Sequence, residues 1–158
     1  MSFVRNRLPA IVTLVIVIAF GLFGGLLATR VGLLTVPSAI GAPYGLPGLR
    51  VVPLGETGWL TWADSVAALV LVLVVYRSVR GFWGTWGAFV LGSLVAGLLR
   101  AVVLSQVAGA GFGGYLGYLV GGLIAGLLWG IALGWLPALA SLPRRTAGRL
   151  PAGLDSMG

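Results

Sequence analysis

The 158-residue chain has no cysteine and no histidine, and only three acids: Glu56, Asp64 and Asp155. All ten basic residues are arginine. Each absence removes a class of chemistry. Without Cys there is no disulfide, thiolate nucleophile or Cys/His zinc site, and without His there is no imidazole base and no histidine-ligated haem. A Ser or Thr nucleophile needs a neighbouring base, and this chain offers neither His nor Lys. Separated acids are too few for a metal cluster. The sequence reads as non-enzymatic, with no catalytic residue, cofactor or metal of its own.

Charge as a whole is scarce. Only 8% of residues are charged, 59% are apolar, and 27 are glycine. Soluble domains carry about 25% charged residues and about 45–50% apolar residues with glycine included. A water-soluble fold of this length could not hide so much apolar surface, so soluble classes are excluded and an all-α integral membrane protein is expected.

A spanning helix needs about 20 mostly apolar residues, because the hydrocarbon core is about 30 Å thick. Arg7 and Arg30 bracket one uncharged run, and Arg80 and Arg100 bracket another. A third run, Trp59 to Tyr76, is interrupted by Asp64 alone. From Ala101 to Pro143 the chain is uncharged but is broken by the Gly-rich stretch Ala108–Gly114. This predicts a single membrane domain of four spans, at about 8–29, 59–79, 82–104 and 112–136. An outer loop, 30–58, and a tail, 137–158, complete the chain.

With the N-terminus inside, Arg5, Arg7, Arg77, Arg80, Arg144, Arg145 and Arg149 fall on the cytoplasmic side, against Arg30, Arg50 and Arg100 on the other. That is a positive-inside bias and predicts N-in/C-in topology. Trp59 and Trp62 would mark the outer interface, and Trp83, Trp86 and Trp135 the inner one. A secretory signal peptide is the competing reading of residues 1–29. Its apolar stretch exceeds the usual length of about 7–15 residues and no A-x-A site follows, so an uncleaved span is expected. The formal charge of +7 follows from topology. Arg77, Arg80, Arg144, Arg145 and Arg149 are candidates for contact with anionic lipid, and nucleic-acid binding is not implied. Arginine without lysine, together with abundant Gly, Ala, Val and Leu, suits a high-GC bacterial genome and a cytoplasmic (inner) membrane.

The outer loop is dense in Pro and Gly, which marks successive turns, yet it is apolar. It is expected to lie on its own helix ends or in the headgroup layer, or to dock a neighbouring subunit. Small residues recur at four-residue spacing, which places them on one side of a helix: Gly21 and Gly25 in the first span, and Gly84, Ala88, Gly92 and Ala96 in the third. The fourth has Gly122, Gly126, Gly130 and Gly134, with Gly113, Gly117, Gly121 and Ala125 as an adjoining stripe. In lipid, such residues let helix backbones approach closely. A tightly packed Gly-rich bundle follows, with internal packing, other membrane subunits or a second copy as the partners of these faces.

Asp64 and Arg100 are the ionisable groups inside the predicted spans. Asp64 falls near the outer end of an inward-running helix, and Arg100 near the outer end of the next, outward-running one. An intramembrane ion pair is expected. The structural alternatives are a capping box at Thr61-Trp-Ala-Asp64 and an Arg100 that snorkels to the headgroups. The sequence therefore points to a non-catalytic accessory or assembly subunit of a larger bacterial membrane complex. A small four-helix transporter or channel, as a homodimer for example, is the alternative. It is weakened by the lack of a titratable group in mid-span.

Overall fold

The structure, a computed structural model, describes residues 7–30, 45–50, 58–78 and 81–142, with the side chains of the first helix described through Phe23. Four helices occur in chain order: α1 (Leu8–Arg30), α2 (Gly58–Arg77), α3 (Phe82–Val107) and α4 (Phe112–Ala140). Among the described residues, α2, α3 and α4 are long and apolar enough to cross a membrane, and α1 is apolar over Leu8–Phe23. At 1.5 Å per residue even the 20-residue α2 spans about 30 Å.

Short turns dictate the arrangement. Gly81, with φ 89°, starts α3 directly after α2, and Gly109, with φ 60°, lies in the turn between α3 and α4. Both positions favour glycine because a Cβ is strained at positive φ. α2, α3 and α4 therefore run antiparallel in succession, and contact pairs show the same for α2 with α3 and for α1 with α2. Asp64 near the start of α2 meets Arg100 near the end of α3. Arg7 just before α1 lies over the ring of Tyr76 at the end of α2, 5.7 Å from its centroid. The chain thus has a loop end, where α2 and α4 begin, and a terminal end, where α1 and α3 begin.

The principal contacts run α1–α2–α3–α4 and back to α1, and α3–α4 is the most extensive interface. The core is apolar and concentrated in the middle and terminal half: Ile16, Val17, Phe20, Ala68, Leu71, Val75 and Phe89 are buried together. Phe20 of α1 meets Trp129 of α4 edge to face, with ring centroids 5.0 Å apart, a favoured aromatic geometry. Outward faces are equally apolar: Leu69, Leu73, Leu91, Leu127, Leu128 and Ile131 are all exposed. A bundle apolar both inside and out suits lipid, where water is not the solvent to be satisfied.

Trp59 and Trp62 stand exposed at the loop end, and Trp83 and Trp135 at the other, as amphipathic rings do at membrane–water boundaries. Trp86 instead lies half-buried against Gly134.

Helix bounds differ most from expectation at the ends of α3 and α4. α3 continues past Leu104 to Val107. α4 runs through Pro137 to Ala140, so the segment 137–158 does not begin as a tail. Proline lacks an N–H and disfavours a helix interior, but here Pro137 is fully buried, so packing holds the last turn in place. Of the arginines expected at the lipid surface, Arg77 is exposed at the end of α2, while Arg80, Arg144, Arg145 and Arg149 lie outside the described residues.

Candidate functional site

The α3–α4 interface is a run of close backbone approaches. A Cβ added to Gly122 would lie 2.6 Å from the Gly97 carbonyl oxygen, and one added to Gly126 would lie 2.5 Å from that of Ser93. At Gly130 it would be 3.0 Å from Val90 Cα, and at Gly134 3.1 Å from the Trp86 ring. The stripe on α4 is therefore taken up inside the chain. Its counterpart on α3 is not the 84/88/92/96 row. Gly92 faces Leu71 and Val74 of α2, Ala88 and Ala96 are buried on that same side by helical spacing, and Gly84 is exposed. The α4-facing row holds Val90, Ser93, Gly97 and Ala101. Because α3 packs on two neighbours, it carries two small-residue faces, and periodicity alone does not say which meets which.

The nearest neighbour of Gly21 is not a helix but the long loop. It faces the carbonyl of Leu49, a residue of the long loop, and Gly48 lies against the backbone of Gly21 and Phe20. Gly25 lies in α1, and its surroundings fall outside what is described. This corrects the expected course of the loop: residues 45–50 are inside the bundle, not spread over its helix ends. Leu46 is 3% exposed and belongs to the apolar core. The reason is chemical. Leu46 is buried and Leu49 half-buried, Gly48 fits where no side chain could, and Gly45 takes φ 66° to turn beneath the ring of Phe20. Non-helical backbone at such depth is tolerated where it is buried in protein or borders water. Here the Leu49 N–H donates to the Val17 carbonyl at 3.1 Å, Arg100 Nη1 donates to the Gly45 carbonyl at 2.8 Å, and Ser65 Oγ donates to the Arg50 carbonyl at 3.4 Å.

The ionic centre of this arrangement is Asp64. Its Oδ1 lies 2.6 Å from Arg100 Nε, and its Oδ2 lies 3.1 Å from Arg50 Nε. Asp64 and Arg100 are each 5% exposed. Asp64 is six residues inside α2 and Arg100 seven residues from the end of α3, so both sit about 10 Å below the loop end by helical rise. Asp64 is thus too deep for a cap, and α2 has no acid in its first turn. Arg100 is turned inward and does not snorkel. Arg50 is the member that sequence reasoning missed. The available signal was a lone charge in the apolar run Leu49–Leu54, too weak to name a partner.

Beside the cluster lies a small cleft between residues 45–47 and the facing surfaces of α3 and α4, lined by Ser93, Gly97, Arg100, Gly122, Ala125 and Gly126. Its volume is about 10 Å³, close to the minimum for one water molecule. Ser93 donates its hydroxyl to the Phe89 carbonyl at 2.8 Å. Chemically the site joins chain segments: one carboxylate holds a helix and a loop segment to a third element. Comparison of the chain with protein-family models, with curated proteins and with solved structures finds no match.

Proposed function

We propose that the chain is a non-catalytic accessory or assembly subunit of a larger membrane complex, embedded N-in/C-in in a bacterial cytoplasmic membrane. The observation that carries this reading is the use made of the intramembrane charges. Asp64 and Arg100, charged residues set well inside their helices, engage each other and the loop residues Arg50 and Gly45. They serve to hold the fold together, which is a scaffold's use of charge. Toward the terminal end, the core is apolar and filled by Phe20, Leu71, Val75 and Phe89, which suits a packed support more than a conduit.

Surfaces for assembly remain. Among the described residues, Gly113 and Gly117 at the loop end of α4 have nothing within 4 Å of an added Cβ, and the exposed Phe112 and Leu116 lie beside them. Small residues next to large apolar ones let another helix approach closely in lipid. The orientation rests on arginine placement. Seven arginines fall on the proposed inner side, and Arg50 and Arg100 on the other side are engaged by Asp64.

Mild solubilisation, native electrophoresis and mass spectrometry of co-migrating chains test the proposal. A stoichiometric set of membrane partners is expected. A homodimer that carries solute flux in liposomes would overturn it. That second outcome belongs to the reading as a small transporter or channel, which one observation favours: the cleft at Arg100 is partly open, and charges at membrane depth often mark pathways.

A further inference from the structure

The loop segment fits its surroundings unequally. Against α1 the fit is backbone to backbone, with no room for a Cβ between Gly48 and Gly21. Against α3 and α4 a cleft remains, lined by Ser93, Gly97, Arg100 and Gly126. The segment therefore covers a surface that it does not fill. That surface combines small residues, a hydroxyl and a guanidinium, and it could take up water once uncovered.

Detachment would also leave the charges in balance. Arg50 is carried by the loop and pairs with Oδ2 of Asp64, while Arg100 pairs with Oδ1. If the segment lifts away, Arg50 leaves with it and Asp64 keeps Arg100, so no lone charge is stranded at depth. Stranding a charge is what makes breaking a buried pair costly. We propose that residues 45–50 are a plug with a seated and an unseated position, latched by Arg50 on Asp64, and that unseating opens a water-filled cleft reaching Ser93. This goes beyond the assembly reading and does not depend on it. Non-helical backbone at membrane depth either packs in protein or borders water, and the plug alternates between the two.

The cysteine-free sequence makes the test direct. Ser93→Cys places one thiol in the cleft, and its reaction with a charged, membrane-impermeant methanethiosulfonate is followed in reconstituted vesicles. Two further variants disturb the plug in different ways. Arg50→Gln removes the latch, and Gly48→Val pushes against Gly21 without touching any charge. The expected result is slow labelling of the parent Ser93→Cys protein and rates on the order of tenfold higher in both variants, the mark of a shifted two-state population. Equal rates in all three proteins would overturn the proposal, as would no labelling in any of them. The thiol of Ala68→Cys, at a fully buried core position, reports on the whole bundle. It is expected to stay unlabelled throughout, and a parallel rise there would mean global opening and would contradict a local plug.

Discussion

Arg50, in the long loop, and Asp64, in α2, meet inside the bundle with Nε 3.1 Å from Oδ2. The loop is thereby a structural part of the membrane domain. Asp64 completes the arrangement through Arg100, so one carboxylate joins three separate stretches of chain.

Replacing Asp64 with Asn leaves two buried guanidiniums facing a neutral group. Removing one partner of a buried pair costs about 3–5 kcal/mol, and a loss of that size is expected in thermal unfolding followed in detergent. Replacing Arg50, Asp64 and Arg100 together by apolar residues of similar volume is expected to recover most of that loss, because the three charges of the cluster are then removed together.

The glycines divide into two groups with opposite tolerance. Gly126→Leu drives a side chain into the Ser93 backbone, and overpacking of this kind costs about 1–3 kcal/mol or more. Gly117→Leu meets no neighbour among the described residues and is expected to leave monomer stability unchanged. Unfolding of the isolated protein checks the first statement. Under the assembly reading, Gly117→Leu would instead weaken co-purification of partners, which the native electrophoresis described above would detect.

Thr85, fully buried in the first turn of α3, has a hydroxyl with no hydrogen-bond partner among the described residues. An unsatisfied buried polar group costs about 1–3 kcal/mol. Thr85→Val keeps the shape and removes the hydroxyl, so a raised melting temperature is expected.

Much of the helical architecture was legible because it rests on local composition. Arginines delimit the spans, the short Arg77–Gly81 connection forces antiparallel neighbours, and that register places Asp64 opposite Arg100. The course of the loop was not legible. Its seating depends on Gly48 finding Gly21, residues far apart in sequence whose complementarity exists only after α1 has packed. Periodicity likewise showed that α3 has small-residue faces, but not that Gly97 meets Gly122 while Gly92 meets α2. Pro137 reads as a helix stop, and tertiary packing overrides it.

The central claim is that Asp64 holds the loop inside the bundle, and a double-mutant cycle tests it most directly. Arg50→Gln, Asp64→Asn and the double variant are compared with the parent protein by reversible unfolding in detergent or bicelles. Residues in contact are coupled by about 0.5–3 kcal/mol, whereas distant ones add to within about 0.5 kcal/mol. A coupling of at least about 1 kcal/mol is expected here. Strict additivity would contradict the account, because it would place Arg50 and the loop away from Asp64.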